Sequence, residues 1–156
     1  MGLDMYLYRK HYVKNYDHEG NPWDVRVRHR GEPVPVGQID PAKVAYVTEQ
    51  VAYWRKANQI HAWFVDNVQD GRDECQASYV STEQLAELLK TVRAVLADHK
   101  KAARLLPARP GFFFGGTDYD EGYFRDLKET EAMLAPLVVE DERGPAFDGY
   151  EYHASW

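Results

Sequence analysis

The segment 44–68 constrains the fold more than any other. Val44, Val47, Val51, Trp54, Asn58, His61, Val65 and Val68 follow one another in steps of three and four residues. Such steps place all eight side chains on one face of an α-helix. The spacing therefore predicts a helix over residues 40–71. Asp40-Pro41 opens it, because Asp accepts an N-terminal amide hydrogen and Pro at the first helical position gives up no needed donor. Asp70-Gly71 closes it. Two of the eight positions are polar, so Asn58 and His61 should point toward the core one turn apart. Leaving such a group unpaired costs about 1–3 kcal/mol, so another part of the fold, a water or a ligand must meet it.

Around this helix the chain reads as alternating strands and helices. Leu3, Met5 and Leu7 alternate with Asp4, Tyr6 and Tyr8, and Val25 and Val27 alternate with Arg26 and Arg28, which is the period of half-buried strands. The turn formers of residues 17–22 would join them into a hairpin, and residues 31–37, with Pro33 and Pro35, read as an irregular connector. Residues 74–80 suit a short strand. Ser81 and Gln84 form a capping box for a second helix with Leu85, Leu88, Val92 and Val95 on one face, fading before Pro107. Three consecutive phenylalanines, Phe112 to Phe114, suggest a buried strand. Thr117 or Asp118 would cap a third helix carrying Tyr123, Leu127, Thr130, Leu134 and Leu137. After a polar linker at 140–145, residues 150–156 alternate as a last strand. The expected fold class is α+β: a mostly antiparallel sheet of about four to five strands with three helices packed mainly on one face. No repeat or composition break divides the chain, so residues 1–156 form one domain, with a core at about 1–138 and a C-terminal extension at 139–156 that can dock as a strand.

Charge and cysteine content narrow the function classes. With 25 acidic and 19 basic residues the net charge is −6, and no basic stripe is present to displace counterions, which argues against a duplex nucleic-acid binder. Lys100, Lys101 and Arg104 fit the solvated end of the second helix. The single Cys75 excludes an internal disulfide and fits a reducing compartment. Neither a signal-peptide core nor a span of ~20 apolar residues occurs, so a cytoplasmic protein without membrane contact is expected. The chain carries 11 Tyr, 4 Trp and 6 Phe, more than a small core easily hides, which points to an aromatic surface or cleft.

Three segments carry a resemblance: Met1-Gly2-Leu3-Asp4-Met5-Tyr6-Leu7, then Tyr53-Trp54-Arg55-Lys56-Ala57-Asn58 running on through Ile60-His61 and Trp63-Phe64-Val65, then Gly111-Phe112-Phe113-Phe114-Gly115. Together they resemble a group of small uncharacterised proteins encoded by bacteria and their phages. The similarity spans about residues 1–135, and the tail from Val139 is particular to this chain. The resemblance implies an accessory role and brings no catalytic residues with it.

Two constellations can carry chemistry. In the first, Trp54 would stack on a planar ligand, Asn58 would bond its edge and Arg55 would pair a phosphate or carboxylate, with Tyr53 and His61 completing the set. The competing account is a buried polar network pinning the helix to the sheet. In the second, Asp118, Asp120 and Glu121 could hold Mg²⁺ or Ca²⁺ with Asp4 or Asp66 as a further ligand, although helix capping explains the same carboxylates. These carboxylates argue against a phosphate loop at Gly115-Gly116. The leading expectation is a non-enzymatic binding or accessory protein that acts on a protein partner or small ligand, without a cofactor and able to form a homodimer. The alternative is a metal-assisted hydrolase using Asp118, Asp120 and His61.

Overall fold

The computed structural model describes residues 2–14, 23–111, 117–141 and 149–156. Strand β1 (Asp4–Tyr12) is followed by a small pair, β2 (Arg28–His29) and β3 (Glu32–Pro33), and then by β4 (Tyr46–Arg55). Helix α1 (Asn58–Asn67), strand β5 (Ser78–Val80), helices α2 (Thr82–Ala97), α3 (Ala102–Leu105) and α4 (Glu121–Asp141), and strand β6 (Gly149–Ser155) follow, with short 3-10 turns at Pro41–Lys43, capped by Asp40, and at His99–Lys101. The main sheet is antiparallel throughout, in the order β4-β1-β6-β5. The architecture is α+β, as its pattern predicts.

Alternation along the strands decides which sheet face is buried. Met5 and Leu7 of β1, Ala52 and Trp54 of β4, and Tyr150, Tyr152 and Ala154 of β6 share one core cluster with apolar residues of α1, α2 and α4. The helical periods hold residue by residue. Leu85, Leu88, Val92 and Val95 of α2 are buried, as are Tyr123, Leu127, Thr130, Leu134 and Leu137 of α4. The capping box is complete: the Ser81 hydroxyl accepts from the Gln84 amide, and the Gln84 side chain accepts from the Ser81 amide. Two such mutually satisfied donors fix where α2 begins.

The long helix expected over 40–71 is two elements. Residues 46–55 form β4, and the helix starts only at Asn58. Val47, Thr48, Val51, Tyr53 and Trp54 are β-branched or aromatic residues, which suit a pleated surface. Their strict inward alternation is confined to Ala52 and Trp54, which is why the three-and-four spacing misleads. The switch is made at Lys56, whose backbone is left-handed (φ 60°). Its amide donates to Leu3 O and its carbonyl accepts from the Asn58 amide, so the chain turns from strand to helix within two residues.

Other expectations shift as well. β1 pairs with β4 and β6, not with the segment around Val25 and Val27, which lies outside any strand. Residues 31–37 are not wholly irregular, because β2 and β3 form a tight hairpin through Arg30 (φ 52°) and Gly31 (φ 87°), the two positive-φ positions that a two-residue turn matched to strand twist requires. The cap of α4 is Asp120 rather than Thr117 or Asp118: its carboxylate accepts from the Tyr123 amide at 3.0 Å. The phenylalanine strand at 112–114 and the turn at 17–22 lie outside the described residues. Among those described, no helix is long and apolar enough to cross a membrane.

The C-terminal strand is interior, flanked by β1 and β5. Deleting residues 149–156 is therefore expected to abolish cooperative folding. The variant should show no sharp thermal transition and no dispersed amide NMR spectrum.

Candidate ligand-binding site

The sheet divides the first set of candidate residues. Trp54 points into the core, 3 % exposed, and its indole nitrogen donates to the Thr130 hydroxyl of α4 at 2.8 Å. Tyr53, one residue earlier, lies on the opposite face. There its ring is 5.4 Å from that of Tyr6, and its hydroxyl donates to Asp4. Arg55 also lies beside Asp4, at 3.8 Å. Trp54 and Arg55 thus share no ligand face, because successive strand residues point to opposite sides. Asn58 and His61, three residues apart in α1, do stay together: both line a pocket of about 300 Å³.

The pocket is built by distant parts of the chain. Leu3, Ala62, Val65 and Pro110 supply apolar wall, joined by Trp156, while Lys56, Asp66, Asp73 and Arg109 supply charge. Each is positioned for a reason. Gln69 anchors the loop after α1 by donating to Gln76 O and Ser78 Oγ, and the Gln76 side chain donates back to Arg72 O, which fixes the backbone beside Asp73. The Tyr123 hydroxyl donates to Leu106 O, and the Tyr119 hydroxyl accepts from the Ala108 amide, which ties the segment before Arg109 to α4. Burial pushes the Tyr123 phenol above its ordinary pKa, so it remains a donor.

His61 sits in the pocket wall with both ring nitrogens engaged. Nε2 lies 3.0 Å from the Asp73 carboxylate and Nδ1 lies 2.7 Å from the Tyr152 hydroxyl. Burial raises the Tyr152 phenol well above its ordinary value, so it stays protonated. A carboxylate only accepts, which places a hydrogen on Nε2, and a neutral imidazole then accepts from Tyr152 at Nδ1. The Trp156 indole donates to the other Asp73 oxygen at 3.2 Å. The sequence pattern singles out His61 but not Asp73, Tyr152, Trp156 or Arg109. The C-terminal aromatic alternation offers the one available hint.

Asp118 and Asp120 line a second pocket, of about 150 Å³, together with Gln59 and Asp126. Glu121 does not line it. Lys56, Asn58 and Arg109 border both pockets, so the two adjoin. Among the described residues no three His, Cys, Asp or Glu side chains come together as a metal-ligand set. Asp4 is committed to Tyr53 on the far face, and Asp66 faces the larger pocket, 3.5 Å from Arg109. Asp120 also serves as the α4 cap. Burial raises the Asp126 carboxyl above the ordinary carboxylate range, opposed in part by a hydrogen bond from Gln59.

No family model matches the chain, and no match is found among curated proteins or solved structures.

Two expectations follow. Trp54→Ala should cost about 3–5 kcal/mol in urea unfolding, the usual cost of deleting a large buried ring, which also leaves Thr130 with one bond fewer. Asp126→Asn tests the second pocket. A raised folded-state pKa means that the native state holds the proton more tightly than the unfolded chain, so stability falls as pH rises from the ordinary carboxylate value through the raised one. The variant should therefore melt above the parent at neutral pH, and the difference should vanish on acidification, as read by thermal melts across that range.

Proposed function

We propose that the chain is a non-enzymatic binding protein that takes up a small organic ligand between α1, the loop carrying Asp73 and Trp156. The observation that carries this reading is the pocket of about 300 Å³, with apolar walls and a few converging polar groups. That combination suits a small ligand, since apolar contact supplies affinity and fixed polar groups supply orientation. His61 supports the reading as a positioning group. Both its nitrogens are engaged by protein partners, so it orients Asp73 and does not present a lone pair to a substrate. The accessory character of the protein, and its origin in bacteria or their phages, rest on the resemblance of residues 1–7, 53–65 and 111–115.

Ala62 is half-buried on α1, lines the pocket and is no member of the core cluster, so Ala62→Trp should fill the pocket without touching the core. Native mass spectrometry of gently purified protein, compared with the denatured mass, is expected to show an adduct on the parent that the variant lacks, at an unchanged melting temperature. A bare native mass for the parent, with no small molecule raising its melting temperature in a screen, would overturn the reading.

A further inference from the structure

Resting on that pocket reading, we infer that the ligand is an organic cation, a primary amine or guanidinium on a short apolar body, with its charge held by Asp73 and its body against Trp156. The first ground is the state of the wall's hydrogen-bonding groups. The donors His61 Nε2 and Trp156 Nε1 both turn onto Asp73, one to each oxygen. A carboxylate accepts about four hydrogen bonds. These two bonds therefore orient Asp73 while leaving acceptor positions that its partly exposed side chain can turn to the pocket. A ligand that brings donors completes this arrangement, and one that brings only acceptors does not.

The second ground is charge. Lys56 and Arg109 are the cationic side chains lining the two adjoining pockets, against Asp66, Asp73, Asp118, Asp120 and Asp126. In the larger pocket the two signs balance, and the excess of carboxylates lies in the smaller one, where Asp118, Asp120 and Asp126 stand with Arg125 close by. Arg109 is already paired with Asp66, and both cations stand at the junction with carboxylates on either side. An incoming phosphate would have to displace those carboxylates and face the rest. An incoming ammonium displaces nothing at Asp73 and is favoured by the carboxylate excess of the adjoining pocket. The third ground is Trp156, whose indole face attracts a cation as well as an apolar chain. Its indole N–H is spent on Asp73, which fixes the ring beside the carboxylate.

Calorimetric titration of the full chain with agmatine and phenethylamine, and with adenosine monophosphate and inorganic phosphate as anionic probes, tests this. Saturable binding of at least one amine is expected, weakened about tenfold or more in Asp73→Asn, the usual loss for one charge-assisted hydrogen bond. Because Asp73 also holds His61, a second variant is needed that leaves the core alone. Arg109→Gln removes a competing positive charge and releases Asp66, so amine binding should tighten severalfold. An anion site predicts the opposite sign. Binding of either anion with weakening in Arg109→Gln, or no amine binding at millimolar concentration, overturns the inference. In either case a native adduct abolished by Ala62→Trp would leave the pocket reading standing. A bare native mass, with no small molecule raising the melting temperature, would remove both.

Discussion

The antiparallel pairing of β6 between β1 and β5 is the contact on which the rest of the molecule rests. Among the described residues β5 has no other neighbour in the sheet. Tyr152, wholly buried in β6, stacks on Phe64 of α1 with ring centroids 3.9 Å apart. That contact seats the first helix on the sheet, and the same residue's hydroxyl supplies the partner of His61. One strand thus provides backbone pairing on both edges, the floor under a helix and the anchor of the pocket histidine. Large buried aromatic area and a satisfied polar tip are combined in a single side chain, which is why burying a tyrosine here is favourable and not costly.

What could be read from the residues alone follows from how local each signal is. The faces of α2 and α4 were legible because a helix repeats its pattern over several turns, and the Ser81 and Gln84 box marks a start within four residues. The division of residues 44–68 into strand and helix was not. Three-and-four spacing and strand alternation coincide over short stretches, and the deciding event is a single left-handed residue, Lys56, whose conformation no side-chain pattern announces. The same coincidence puts Trp54 and Arg55 on one ligand face in the sequence pattern. Once the backbone is extended, neighbouring residues part to opposite sides of the sheet.

The candidate site shows the complementary limit. Asn58 and His61 were legible because both polar residues interrupt an apolar stripe at one-turn spacing, and that relation survives in the shorter helix. The partners of His61 come from the loop after α1 and from the last strand, and the segment before α4 adds pocket wall. Those meetings are products of sheet topology, and nothing within a window of sequence encodes them. The sequence also left open whether His61 was a ligand group or a structural one. The paired nitrogens connect the two roles: the imidazole is tied into the core by Tyr152 and uses its other nitrogen to hold Asp73 at the pocket.

The placement of β6 also governs when the protein can become a protein. Lys10 of β1 and Glu151 of β6 form an ion pair although they stand 141 positions apart along the chain. A ribosome delivers β1 and β4 before α1 to α4 and β6 after them, so until β6 emerges β1 can pair only along the edge that faces β4. Contacts between such distant segments close slowly, because the intervening chain must first be organised. An open strand edge is meanwhile a template for pairing with other chains. Exposure to aggregation therefore lasts until β6 has emerged, and completing the sheet and closing the pocket are the same event.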